Sequence, residues 1–295
     1  MDRRAILKAL ALAPLAATNA QGEGSSADGL TLKLAANLVA GAPPLATGLH
    51  WRVFSSAPQV DGSHALMRES KEAQPTLILP AGDYVVHVAF GLASVAERVL
   101  LEGQSKSLQL TLNAGALRIV GVLGEQKIDP NRLTLAIYVS ERNNPLAKLV
   151  TNKARAGDVI GVPEGPYHIV STVVQLSGPA RGAAASAQPT NSIANADIKV
   201  AAGKVVDVTL RHRFATATLK LVSAPGSEAI ANTAFTVLTP GGDLIGELIG
   251  AFPSMVLAEG DYVAIARHDG KTYQSEFTVQ SGQDHDVEIV AKEGQ

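Results

Sequence analysis

Leu79-Pro80-Ala81-Gly82-Asp83-Tyr84-Val85-Val86 recurs as Val162-Pro163-Glu164-Gly165-Pro166-Tyr167-His168-Ile169, and again as Leu257-Ala258-Glu259-Gly260-Asp261-Tyr262-Val263-Ala264. Each copy has an apolar residue, two spacers, Gly, one spacer, Tyr and then β-formers. The tyrosines stand 83 and 95 residues apart, which suits a small β domain and is too long for a solenoid repeat. The flanks repeat with them. An alternating strand is predicted about 50 residues before each Tyr, over 30–35, 117–122 and 217–222, followed by a second over 49–54, 133–139 and 234–238. A closing strand follows each Tyr, over 108–112, 205–210 and 287–290, behind a turn glycine at Gly103, Gly203 or Gly282. Period-2 alternation bounded by Gly, Pro, Asn and Asp marks half-buried strands, and six or seven of them in about 85 residues predict a β-sandwich.

The Gly-x-Tyr of each copy resembles the tyrosine corner of Greek-key sandwiches, in which the phenol bonds to upstream backbone. The longer phrase, above all Pro163-Glu164-Gly165-Pro166-Tyr167, is similar to the Pro-x-Gly-x-Tyr-x-Val signature of bacterial PEGA-type and carboxypeptidase-regulatory-like sandwiches. The resemblance covers residues 30–295, with Ala258 in place of Pro in the third copy. It implies an all-β chain of three tandem Ig-like or prealbumin-like antiparallel β-sandwich domains, of the kind that serve as adhesion, spacer or accessory modules rather than enzymes. Recurrence at one turn assigns Gly82, Tyr84, Gly165, Tyr167, Gly260 and Tyr262 to folding rather than to a ligand.

The domains are expected at 30–113, 114–212 and 213–295. The connections, Asn113-Ala114-Gly115 and Arg211-His212-Arg213-Phe214, are too short to bend freely and predict a semi-rigid rod. Arg211 and Arg213 flank the one dense basic spot, which reads as a solvated joint or an anionic contact. In the second domain 37 residues separate Gly165 from Gly203, against 20 and 21 in the other copies. The surplus, 176–196, reads as an inserted loop, mobile or partner-binding, with Arg181 its one anchor.

Residues 1–20 have the form of a cleaved export signal: Met1-Asp2-Arg3-Arg4, an Ala/Leu stretch, then Thr18-Asn19-Ala20. Arg3-Arg4-Ala5-Ile6-Leu7-Lys8 resembles a twin-arginine motif, with Asp2 departing from the usual hydroxyl residue; a Sec signal is the other reading. Lys8 and Pro14 interrupt the apolar run, which falls short of the ~20 residues that span a bilayer. Residues 21–29 form a Gly-rich leader, in which Gly22-x-Gly24-x-x-Ala27 reads as linker because no strand precedes it. Either export route places the protein in the periplasm or outside the cell.

Composition narrows the chemistry. The 295 residues are 46% hydrophobic and 18% charged with a net charge of −2, so the chain has no basic footprint for nucleic acid. With no Cys there is no disulfide, zinc ribbon, iron–sulfur cluster or thiol nucleophile. His-Glu-x-x-His, Gly-x-Ser-x-Gly, the P-loop and Ser-x-x-Lys are missing from the sequence, and the seven histidines do not recur at matching repeat positions. Asp284-His285-Asp286 with His268-Asp269 is the best metal candidate, but alternation sends His285 to the face opposite the two aspartates. No catalytic residue, cofactor or metal is assigned. Trp51 alternates with Leu49 and Val53 and is expected in the core. The expectation is an exported, non-catalytic β-sandwich repeat protein, a structural, adhesion or protein-interaction module of the envelope whose partner is another envelope or exported protein. A carbohydrate- or small-ligand-binding accessory module is the alternative.

Overall fold

A computed structural model describes residues 29–141, 144–176 and 187–292. The export signal with Arg3 and Arg4, most of the leader, and Arg181 lie outside the described residues.

Twenty-two strands and one 3-10 turn, Pro130–Arg132, make up the regular structure of the described residues. The first set is β1 (Leu30–Asn37), β2 (Leu49–Pro58), β3 (His64–Ser70), β4 (Thr76–Leu79), β5 (Gly82–Phe90), β6 (Ala93–Leu101) and β7 (Lys106–Thr111). The second is β8 (Ala114–Leu123), the short β9 (Gln126–Lys127), β10 (Leu133–Glu141), β11 (Asn144–Ala154), β12 (Val159–Pro163), β13 (Gly165–Leu176), β14 (Ala187–Val200) and β15 (Val205–His212). The third is β16 (Phe214–Val222), β17 (Thr233–Leu238), β18 (Leu244–Gly250), β19 (Ser254–Ala258), β20 (Gly260–His268), β21 (Lys271–Val279) and β22 (His285–Val290). Each set builds a three-stranded and a four-stranded sheet: β4-β1-β7 with β3-β2-β5-β6, β12-β8-β15 with β11-β10-β13-β14, and β19-β16-β22 with β18-β17-β20-β21.

Alternation decides which side chains fill the space between the sheets. Leu32, Leu34 and Ala36 of β1 are buried while Lys33 is exposed; Tyr84, Val86 and Val88 of β5 face them. The same faces recur with Leu117 and Ile119 against Tyr167 and Ile169, and with Ala217 and Leu219 against Tyr262 and Ala264. Trp51 is wholly buried in the first core.

Two features depart from the sequence reading. The first and last long strands of each set pair in parallel, β1 with β7, β8 with β15 and β16 with β22, although every other ladder is antiparallel. In an up-and-down chain the first and seventh strands run the same way, so bringing them together in one sheet makes a parallel ladder. Strands one, four and seven share a sheet here, whereas the immunoglobulin partition puts one, two, four and five together.

The second correction concerns the inserted loop expected over 176–196. Its described part is Leu176, which ends β13, and Ala187 to Ala196, the first ten residues of β14, which pairs with β13 from Gly165↔Val200 to Leu176↔Ala187. Ala194, Ala196 and Ile198 pack on the core while Ile193, Asn195 and Asp197 are directed away from it. Ala, Ser and Asn are weak strand formers, so the alternation was carried by small side chains that look like loop composition. Between Thr172↔Ile193 and Val174↔Pro189 the ladder skips: Val173 stands opposite Thr190, Asn191 and Ser192. Asn191, in this bulge, bonds to the third set.

Candidate functional site at the joints

The three tyrosines make the same bond. Tyr84 Oη donates to the Pro80 carbonyl at 3.0 Å, Tyr167 to Pro163 at 2.8 Å and Tyr262 to Ala258 at 2.8 Å, each four residues upstream. Gly and Tyr two apart on a strand share a face, and in the first copy the ring lies against the glycine. A Cβ on Gly82 would stand 3.4–3.5 Å from the Tyr84 ring and hydroxyl. Burial pushes the Tyr167 and Tyr262 phenols up from their ordinary pKa.

Each sheet pair is fastened to the next. At the first joint the Ala114 N–H, at the start of β8, donates to Leu38 O of the first set at 3.2 Å, and the Glu164 N–H donates to Asn113 O of the connection at 3.1 Å. At the second joint the Glu259 N–H donates likewise to Arg213 O of the connection at 3.0 Å, while Gly203 N–H to Ala114 O at 2.8 Å and Gly282 N–H to Phe214 O at 2.9 Å tie each turn glycine to the first strand of its own set. A further contact covers the outer edge of each following three-stranded sheet. Leu92, in the β5–β6 turn, donates its N–H to Gly161 O of β12 at 2.7 Å, and its side chain packs on the second core. The approach needs two glycines, because a Cβ on Gly91 would lie 2.7 Å from the Gly161 backbone.

Gln175 occupies the matching place at the second joint, ten residues after its motif glycine as Leu92 is after Gly82. Val256 stands where Gly161 does, and its side chain bars a backbone turn. A longer reach replaces it: Gln175 Nε2 donates to Ser254 O at 3.0 Å while Oε1 accepts from Val256 N–H at 2.9 Å. One carboxamide thereby imitates a neighbouring strand on the edge of β19. Asn191, on the bulge of β14, completes the contact. Its Oδ1 accepts from Ala258 N–H at 2.8 Å and its Nδ2 donates to Tyr262 Oη at 2.8 Å. The copies that keep Pro at this position, Pro80 and Pro163, have no N–H to offer, so Ala258 supplies the donor that the second joint uses.

The Arg211-His212-Arg213 spot is not uniformly solvated. His212 is 2% exposed, with Nε2 2.9 Å from Ser171 Oγ and Nδ1 3.3 Å from Ser192 Oγ. Burial pushes its pKa down, partly offset by a hydrogen bond to the Ser192 backbone. Arg211 and Arg213 are both exposed, and Arg213 pairs with Glu259 at 2.6 Å. Ser171, Ser192 and His212 form a buried polar group that no substrate can reach, and a nucleophile–base pair needs access to one.

The former metal candidate is dispersed among other contacts. Asp284 Oδ1 accepts from Thr216 N–H at 2.7 Å, Asp286 pairs with Lys220 at 3.3 Å, and His268 pairs with Asp269 at 3.3 Å. Among the described residues no three His, Cys, Asp or Glu side chains come together as a metal site. No described helix is long and apolar enough to cross a membrane. A groove of about 550 Å³ runs along the second joint, lined by Gln188, Pro189 and Thr190 on one side and Leu244, Glu247 and Met255 on the other. The functional side chains that sequence reasoning missed, Leu92, Gln175, Asn191 and His212, carry no motif. Two signals pointed toward them: the common ten-residue offset from the motif glycine, and Ala258 replacing Pro.

A family model described as a Rhizobiales growth-associated tandem repeat domain matches residues 216–291, within the third set. No curated protein matches the chain. Among solved structures, a streptococcal ancillary pilin is similar at 12% identity and a TM-score of 0.30, covering 89% of this chain and 99% of that one. BcpA, the major pilin subunit of Bacillus cereus, gives 9% identity and a TM-score of 0.22 over 89% and 99%. The Bacillus anthracis TIE protein gives 15% and 0.24 over 89% of this chain, which spans 51% of that protein's length. Superpositions this loose transfer no function.

Proposed function

We propose that each sheet pair is one domain, at 30–113, 114–212 and 213–295, and that the chain is an exported, non-catalytic array serving as a structural, adhesion or protein-interaction module of the bacterial envelope or periplasm. The joints carry this reading. Gln175 and Asn191, polar side chains that could have formed a site, are committed to holding the second sheet pair against the third. Such joints favour a semi-rigid spacer over independently tumbling beads. The matched repeat model, growth-associated by its description, concerns the third domain alone and accords with a repeat-built module. Trp51 is buried, so a carbohydrate platform has lost its one indole, and the structural reading is preferred.

Fractionation of cells expressing the full chain with a C-terminal tag tests the export half. Processed protein in the periplasmic or extracellular fraction supports it; unprocessed protein retained in the cytoplasm overturns it. Replacing Arg3 and Arg4 together by Lys blocks export on the twin-arginine reading and leaves it intact on the Sec reading. A turnover activity of the purified chain that a single substitution abolishes would overturn the non-catalytic half.

A further inference from the structure

We infer that the outer edge of β4 is a docking surface for the far end of the third sheet pair of a second copy of this chain, in the manner of the two internal joints. The edge strands β4, β12 and β19 hold the same place in their three sheet pairs. Counting back four residues from Gly82, Gly165 and Gly260 reaches Ile78, Gly161 and Val256, which pair across the ladder with Thr31, Ala116 and Thr216. Gly161 and Val256 are buried, and each is bonded at its backbone by the preceding sheet pair, Gly161 by Leu92 and Val256 by Gln175. Val256 even packs on the second core. Ile78, at the same position, is 62% exposed, and the described residues place no sheet pair before β1. Leu34 N–H donates to Pro75 O, so Leu77 and Leu79 continue the bonding to β1 while the backbone groups of Thr76 and Ile78 turn outward. With the sequence Thr76-Leu77-Ile78-Leu79, β4 has no charged side chain to blunt that edge.

The second copy is selected by the opposite end of the chain, where the other half of such a joint stands open. The turn that reaches Gly161 is Gly91-Leu92, nine and ten residues after Gly82. Asp269-Gly270 follows Gly260 at the same offsets, in a two-residue turn between β20 and β21, and Asp269 has a φ of 48° where Gly91 has 60°. Ile78, branched at Cβ like Val256, bars the backbone approach of the first joint and calls for a side chain, as at the second. There the Gln175 carboxamide accepts from Val256 N–H; here the Asp269 carboxylate is the acceptor for Ile78 N–H. The Asp269 side chain is 88% exposed, and its Oδ2 lies 3.3 Å from His268 Nε2, which leaves Oδ1 for that bond. The strand leaving each sheet pair shows the same opening. One residue past the parallel pairs Asn37↔Thr111, Val122↔Arg211 and Val222↔Val290 come Leu112, His212 and Ala291. Leu112 and His212 are buried, whereas Ala291 is half-exposed. One chain thus presents both halves of the joint that it uses twice internally, and contacts between unlike surfaces extend into open chains. The inference extends the reading of the chain as a jointed array and does not use the export or envelope assignments, which fractionation tests separately.

Sedimentation of the purified full chain, with one variant for each end, tests the inference. Wild type is expected to form dimers and longer oligomers reversibly at roughly 100 µM, a weak-interface range. Ile78→Lys disables the β4 surface and Ala291→Lys the opposite end, and each weakens self-association by about tenfold or more. Mixed in equal amounts, the two variants form a heterodimer that grows no further, because each supplies the end that the other lacks. Neither position is buried, and far-UV circular dichroism verifies that each variant is folded. As a readout free of variants, the Ile78 amide exchanges more slowly at high protein concentration than at low. A wild type that stays monomeric, the result expected if residues 21–28 cover β4 instead, overturns the proposal. So does an Ala291→Lys variant that associates like wild type, the result expected of β4 pairing with β4, or a mixture that yields no heterodimer.

Discussion

Replacing Asn191 by Ala should loosen the second joint in a way that the native residue of the other two copies repairs. Asn191 accepts from Ala258 N–H and donates to Tyr262 Oη, both at 2.8 Å. The Tyr262 hydroxyl keeps its own acceptor, Ala258 O, so losing the Nδ2 bond costs about 0.5 kcal/mol. The Ala258 N–H is partly buried and would be left without a partner, at about 1–3 kcal/mol. Together these come to about 2 kcal/mol, or roughly a 30-fold rise in the open population of the β19 edge. Hydrogen exchange at the Ala258 and Val256 amides reads that opening. In an Ala258→Pro background there is no N–H to orphan, and Asn191→Ala should then cost only about 0.5 kcal/mol. The difference between the two backgrounds is the coupling energy. Equal costs in both, or no faster exchange at Val256 after Asn191→Ala, would refute the assignment of Ala258 as the donor that fastens the joint.

Tyr84→Phe, Tyr167→Phe and Tyr262→Phe should each destabilise their own sheet pair by about 0.5–1.5 kcal/mol, resolved by exchange mass spectrometry in denaturant; no loss at any of the three would remove the corner role. Gly161→Ala forces a Cβ against Phe90 and should cost about 1–3 kcal/mol at the first joint, seen as faster exchange of the Leu92 amide. Burial holds the folded pKa of His212 below the unfolded 6.5, so its contribution to stability is complete above about pH 6.5 and declines as the pH falls through the folded value. His87, lowered by burial and then by Arg52 and His50, adds in the same direction. His212→Gln should flatten the stability profile between about pH 7 and 5 in denaturant titrations, and an unchanged slope would refute the linkage.

The motif was legible because it is local. Gly82 and Tyr84 lie two residues apart on one strand, and the carbonyl that the phenol reaches is four residues upstream, so the whole device fits in a short window. Apolar alternation likewise exposed most long strands, since the side chains of β1, β5 and β20 are large enough to register. It failed at β14, where Ala and Ser do the packing and nothing distinguishes a strand from a loop until β13 is beside it. The basic spot was misread in part for a similar reason. His212 sits between two arginines in sequence, but Ser171 and Ser192, 41 and 20 residues away, close over its ring.

By itself the sequence determined that the chain is all β, that one sandwich pattern repeats, and that Gly-x-Tyr anchors each copy; these follow from periodicity and from contacts a few residues apart. Tertiary structure alone decided the parallel closing ladders, the bulge at Asn191 and the fastening of each sheet edge by the preceding sheet pair. The bonds of Asn191 and Gln175 to the third sheet pair span 67–81 residues. A carboxamide that will hold a sheet edge looks, in one dimension, like any exposed polar residue, and only folding places the edge within its reach.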